Sequence, residues 1–131
     1  MKNINTSGKR KRSVARATLK EGKGIVKINN KALDILEPRL ARLKIEEPLI
    51  LAGDVVNKID LIVTVNGGGF MSQADASRVA ICRALSQYSP SLRAKFLDYD
   101  RNLLVADTRR KEVSKPNRHG QARAKVQKSY R

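Results

Sequence analysis

Residues 58–88 read KIDLIVTVNGGGFMSQADASRVAICRALSQY and carry the clearest strand and the clearest helix of the chain. Ile59, Leu61, Val63 and Val65 share one face of an alternating run, with Asp60, Thr64 and Asn66 on the other, the period of two that a half-buried strand shows. Gly67-Gly68-Gly69 ends that strand. Behind it Phe70, Ala74, Ser77, Ile81, Ala84 or Leu85, and Tyr88 recur at spacings of three and four, which predicts an amphipathic helix. Ser72 and Asp75 form a candidate capping pair, and Ser89-Pro90 closes the helix.

Upstream, Ser13, Ala15, Ala17 and Leu19 alternate with Arg12, Val14, Arg16, Thr18 and Lys20. Glu21-Gly22-Lys23-Gly24 supplies a turn, and Ile25-Val26-Lys27-Ile28 resumes as a strand. These segments predict a β-hairpin with a cationic outer face. Residues 1–10 are polar and then basic, and are expected to be flexible. Leu33, Leu36, Leu40 and Leu43 fall at helical spacing, broken by Pro38, and a second short helix is expected from near Pro48 to Gly53. Its Leu49-Ile50-Leu51-Ala52 run reads as core. Downstream, Ser91 to Leu97 is expected to add a turn or two of helix, and Leu103-Leu104-Val105-Ala106 a short strand. Beyond Asp107 the only apolar side chains are Val113, Val126, Tyr130 and scattered alanines, too few to bury a core. Those 24 residues are expected to be an extended basic tail, reaching at most ~80 Å at about 3.3 Å per residue.

The formal net charge is +16 over 131 residues, and it is unevenly placed. Residues 1–24 hold 8 Lys/Arg against Glu21, and residues 108–131 hold 9 against Glu112, while the intervening body is nearly neutral. Concentrated charge of one sign repels itself until a polyanion neutralises it, so nucleic acid is the expected partner. No apolar run is long enough to span a bilayer, no secretory leader is visible before Ile25, and neither end has the aromatic-rich apolar face of a membrane-surface helix. The single cysteine excludes an intrachain disulfide and fits a reducing cytoplasm.

No motif indicates an enzyme. The triple glycine lacks both the Gly-Lys-Ser/Thr of a phosphate loop and the dinucleotide spacing, so it reads as a tight turn. Contact of its bare amides with an RNA backbone stays open. With one histidine and one cysteine, no usual structural zinc site can be assembled, and no cofactor is expected. Cys82 is expected to be buried, and His119, among Arg118, Arg123 and Lys125, to face phosphate or a base. Asp98 and Asp100 read as salt-bridge partners, because no acid–base set accompanies them. With only Tyr88, Tyr99, Tyr130, Phe70 and Phe96 as aromatics, base stacking is limited to Tyr130, and recognition should rest on phosphate positions and the shape of folded RNA.

Three linked blocks resemble one family. Gly8-Lys9-Arg10-Lys11-Arg12-Ser13-Val14-Ala15-Arg16-Ala17, followed by Gly22-Lys23-Gly24-Ile25-Val26-Lys27-Ile28-Asn29, is similar to the opening of the ribosomal protein nine family of the small subunit. Val65-Asn66-Gly67-Gly68-Gly69, with Gln73-Ala74-Asp75-Ala76 and Ala80-Ile81-Cys82-Arg83-Ala84-Leu85, resembles its centre. Arg109-Arg110-Lys111-Glu112 and Lys115-Pro116, leading to Ala122-Arg123-Ala124-Lys125-Val126-Gln127, resemble its tail. The final Ser-Tyr-Arg is similar to archaeal and eukaryotic members, where bacterial ones typically end Ser-Lys-Arg.

The resemblance implies an α+β fold, a two-layer sheet-and-helix domain like the second domain of ribosomal protein five of the small subunit. It implies a flexible basic N-terminus (1–10), a globular RNA-binding domain (11–107) and an extended basic tail (108–131). The partners would be the 3′-domain (head) of a 16S-type ribosomal RNA, neighbouring head proteins and the peptidyl-site tRNA. The expected rRNA contacts are Lys9, Arg10, Lys11, Arg12, Arg16, the amides of Gly67, Gly68 and Gly69, and Arg109, Arg110, Lys111, Lys115, Arg118, His119, Arg123 and Lys125. Lys128, Ser129, Tyr130 and Arg131 would touch the anticodon stem-loop of the tRNA. A free-standing RNA or DNA chaperone with the same charge layout is the main alternative that composition leaves open.

Overall fold

The computed structural model describes residues 3–131. Five strands, β1 (Ile4–Arg10), β2 (Ser13–Glu21), β3 (Val26–Ile28), β4 (Lys31–Ala32) and β5 (Ile59–Asn66), form one mixed sheet in the order β1-β2-β5-β3-β4. Three helices, α1 (Arg39–Ala52), α2 (Phe70–Tyr88) and α3 (Ser91–Tyr99), accompany it. The architecture is α+β, a sheet backed by helices.

Alternation explains which face the helices cover. Ser13, Ala15, Ala17 and Leu19 of β2 and Ile59, Leu61, Val63 and Val65 of β5 are buried. In the antiparallel register Ala15 faces Val65, Ala17 faces Val63 and Leu19 faces Leu61, so these rows make one continuous apolar surface. Helix α2 lies on it, burying Ala74, Ala76, Val79, Ala80, Ile81, Cys82, Ala84 and Leu85. Its many alanines let the helix backbone come close to the strands. Phe96 of α3, Ile45 of α1 and Leu103 complete the core. Burial pushes the Cys82 thiol up to about 12, so it stays protonated and unreactive at neutral pH.

Several expectations are corrected. Of the residues 1–10 expected to be flexible, Met1 and Lys2 lie outside the described residues and Ile4–Arg10 is a seven-residue strand. This β1, rather than the 25–28 segment, is the hairpin partner of β2. The chain instead crosses at Glu21–Ile25 so that β3 pairs parallel to β5. The Asp60 carboxylate fixes that crossing by accepting the amides of Lys23 and Ile25, each at 2.9 Å. Those two bonds hold its carboxyl below the usual range.

Pro38 does interrupt the 33–43 region, standing at the N-terminal boundary of α1. Pro48, however, lies inside one continuous α1 rather than starting a second helix. Its missing donor leaves one turn bond unmade, but Ala41, Ile45, Pro48 and Ala52 stay on one buried stripe. Of the four leucines that suggested a stripe, Leu33 is buried and Leu36 packs against the core, but Leu40 and Leu43 are exposed, and so is Ile50 of the run read as core. Residues 103–106 form no strand. The Asp100 carboxylate accepts the Asn102 amide at 2.9 Å and turns the chain into a short 3₁₀ segment, Arg101–Leu103.

Candidate nucleic-acid interface

The β1–β2 connection is a two-residue turn, with Arg10 paired to Ser13 and Lys11 at φ 53°. Lys11 and Arg12 therefore stand at its tip, both exposed. The glycine loop after β5 lies directly against that tip. A Cβ on Gly67 would come within 2.7 Å of the Arg12 carbonyl oxygen, and one on Gly68 within 2.2 Å of Ser13 Oγ. Both glycines also have positive φ, 79° and 66°. The buried Ser13 hydroxyl donates to the Gly67 carbonyl at 2.8 Å, fastening loop to hairpin. Gly67 and Gly68 are thus explained by the tight turn, and Gly69 by neither constraint, since nothing lies within 4 Å of its Cβ position.

Gly69 is the N-terminal boundary of α2, and no side chain caps that end. The Ser72–Asp75 pair does not form a capping box, because α2 already starts at Phe70 and Ser72 lies within its first turn; Asp75 is instead engaged by Lys44 Nζ at 2.7 Å. The first-turn amides of α2 consequently have no intrahelical acceptor, at the end where the helix dipole favours an anion.

Past Asp107 the chain returns to this end of the molecule. Arg10, Lys11, Arg12, Gly68, Gly69, Ser72, Arg109, Arg110 and Lys111 line one open groove of about 850 Å³. Two ion pairs bring the tail root there. Arg109 binds both oxygens of Asp107 through Nε at 3.1 Å and the terminal nitrogen at 2.7 Å, and Arg10 reaches the same carboxylate at 3.5 Å. These contacts, the Arg109 bonds foremost, hold the Asp107 carboxyl well below the usual range. Arg10 also approaches Asp75 at 4.0 Å, and its side chain is 17% exposed. Arg109, at 81%, keeps most of its surface for another ligand.

The remaining expected contacts separate into three places. Lys9 and Arg16 face outward from β1 and β2. Lys115, Arg118, His119, Arg123 and Lys125 gather on a loop that folds back through His119 N–H to Ala124 O at 3.0 Å and Val126 N–H to Asn117 O at 3.1 Å. Arg123 pairs with Glu112 there, which lowers the carboxyl of Glu112. Lys128, Ser129, Tyr130 and Arg131 follow, all exposed.

Sequence reading assigned Asp75 to a cap and gave Lys44 and Asp107 no part in the site; the three are brought together only by the fold. It also missed Ser72 as a groove residue, having assigned its hydroxyl to a cap. Asp100 does act as an ion-pair partner, meeting Arg78 at 3.3 Å while Arg78 also binds Glu47 at 2.7 Å. Among the described residues, no group of three or more His, Cys, Asp or Glu side chains could hold a metal ion. No helix there is long and apolar enough to cross a membrane.

Residues 8–131, which include every residue of this groove, match the family described as Ribosomal protein S9/S16. The chain belongs to that family. Small ribosomal subunit protein uS9 of Methanothrix thermoacetophila is 51% identical over 133 residues, covering 100% of both chains. The protein of the same name from Methanococcus maripaludis is 48% identical over 134 residues, again covering 100% of both. A ribosomal protein S9/S16 is a structural protein and not an enzyme, and it works in translation within a ribonucleoprotein.

Proposed function

We propose that this chain is a structural constituent of the small ribosomal subunit that binds head rRNA. The groove carries the reading: the hairpin cations, the uncapped N-terminus of α2 and the tail-root cations converge on one surface. Phosphates seated there gain both fixed amides and multiple counter-charges, which suits folded RNA better than any small substrate. The relatives' name, small ribosomal subunit protein, supports the same assignment. The fold kinship with the second domain of ribosomal protein five belongs to this proposal, as do neighbouring head proteins as partners and the cytoplasmic ribosome as location.

In the same proposal residues 108–131 act as an RNA-anchoring tail. Thr108 to Gln127 bind rRNA, and Lys128, Ser129, Tyr130 and Arg131 contact the anticodon stem-loop of peptidyl-site tRNA. The exposure of these four residues and the absence of any buried side chain beyond Asp107 support it. Tyr130, 92% exposed, is free to stack or hydrogen-bond.

Phosphate contacts release counterions, so affinity for a head rRNA fragment should fall at least about tenfold between 50 and 200 mM salt. A smaller fall would remove the electrostatic basis of the proposal. Salt-washed small subunits should retain the protein, whereas a free-standing chaperone would wash off. Deleting Tyr130-Arg131 should leave subunit assembly intact and weaken tRNA in the peptidyl site, measured by filter binding to purified subunits. Loss of assembly from that deletion would refute the separation of stem and tip.

A further inference from the structure

The helices leave the other face of the sheet bare, and its composition is specific. From the registers, Asn5, Thr18, Ile62 and Lys27 lie in one row across β1, β2, β5 and β3. Ser7, Arg16 and Thr64 form the next row, and Lys9, Val14 and Asn66 the one after. Lys20 faces Asp60 at the opposite end. Arg16, Lys20, Lys27, Thr64 and Asn66 are all exposed, and Ile62 is 39% exposed.

We infer that this open sheet face is a second RNA surface, and that it takes the backbone and shallow groove of double-helical RNA. The inference rests on the RNA-binding reading above but concerns a different surface. Four cations face one carboxylate, and that carboxylate is already occupied by the Lys23 and Ile25 amides. The residual charge is therefore complementary to phosphate and not to an ordinary mixed protein surface.

The arrangement also selects among RNA forms. Lys9, Lys20 and Lys27 stand toward three different margins of the face, with Arg16 near its middle. Residues four apart on a strand are about 13 Å apart and neighbouring strands about 4.8 Å, so the cations span roughly 20 Å. Between them lie short hydroxyl and amide side chains, Ser7, Thr18, Thr64 and Asn66, suited to 2′-hydroxyls. No aromatic lies in these rows. A sheet that reads single-stranded RNA stacks bases on aromatics, whereas helical RNA is recognised through phosphates and 2′-hydroxyls.

The test uses the full chain and an RNA duplex of about 16 base pairs and arbitrary sequence. Arg16→Glu, Lys20→Glu and Lys27→Glu together should lower duplex affinity at least about tenfold, and the salt slope by roughly 2.7. A control with the same charge change on the helical side, Arg39→Glu, Lys95→Glu and Arg101→Glu, all exposed, should stay within about threefold of wild type. Far-UV circular dichroism checks the fold, and glutamine in place of glutamate at the three sheet positions serves if the reversals unfold the chain. Wild-type duplex binding by the sheet variant, or an equal loss in the control, would overturn the inference. Wild-type duplex binding combined with loss of retention on small subunits would make the face a protein interface instead. The groove variant Arg12→Glu, Arg110→Glu and Lys111→Glu separates the two readings. If it alone loses head rRNA, the sheet inference fails and the proposed function stands; if neither variant loses RNA, both fail.

Discussion

Gly8→Ala should lower folding stability by about 3 kcal/mol or more, a large loss for the addition of one methyl group. Gly8 lies on the buried side of β1, opposite Ala15, where α2 crosses the sheet. A Cβ there would stand 2.3 Å from the Ala76 carbonyl oxygen and 2.7 Å from the Ala80 amide nitrogen. Both are backbone atoms of α2, so no side-chain rotation relieves the contact and the helix must move off the sheet. That displacement opens gaps around Ala15, Ala17 and Ala80, each 0–1% exposed, and breaks the bond from Thr6 Oγ1 to the Ala80 carbonyl, 2.8 Å. The reference is Gly69→Ala, where nothing lies within 4 Å of the added carbon. Urea midpoints compare the two at equal slope. A Gly8→Ala cost within about 1 kcal/mol of the Gly69→Ala cost would show that α2 is not seated on β1 this closely.

That contact also explains what the sequence hides. The β5–glycine–α2 unit was legible because its apolar residues mark one face at every second or every third and fourth position. The strand β1 has no such mark. Its inward positions are Ile4, Thr6, Gly8 and Arg10, a set selected for closeness to a helix and for one ion pair rather than for hydrophobicity. In α1 the signal was inverted, since Ala41 and Pro48 are buried while Leu40 and Leu43 are exposed. Small residues fit the interface with α2, and periodicity weighted by hydrophobicity misassigns that face. Parallel pairing of β3 with β5 was equally invisible, because a Gly-rich turn after β2 suggests the adjacent strand as partner.

For the interface, what was legible was charge along the chain, and what was not was its gathering in space. Lys11 and Arg12 meet Arg110 and Lys111 only because Gly67 and Gly68 bring loop and hairpin together while Asp107 returns the chain to the same end. Nor does sequence divide the cations by what already holds them. Arg10 is largely enclosed between Asp75 and Asp107, so part of its role is to position the tail root. By contrast, Lys11, Arg12, Arg110 and Lys111 appear in none of the ion pairs found among the described residues.

This division yields the largest functional effect expected of any substitution. Arg12→Glu, Arg110→Glu and Lys111→Glu together should weaken head rRNA binding by about 10²–10³-fold near 0.1 M salt, because each lost phosphate contact removes about 0.9 from the salt slope. The slope itself should fall by roughly 2.7, so that the difference from wild type narrows as salt rises. Stability should change by less than about 0.5 kcal/mol, as all three side chains are exposed. Arg10→Ala should behave in the opposite sense. Its guanidinium is 17% exposed beside two carboxylates, and its removal should cost about 1–3 kcal/mol of stability through Asp75 and Asp107 left without it. Its effect on RNA affinity should be smaller than that of the triple variant. Fluorescence anisotropy across a salt series, with urea melts of each variant, measures both quantities. Binding by the triple variant within about threefold of wild type at every salt concentration would mean that the groove is not where the RNA lies.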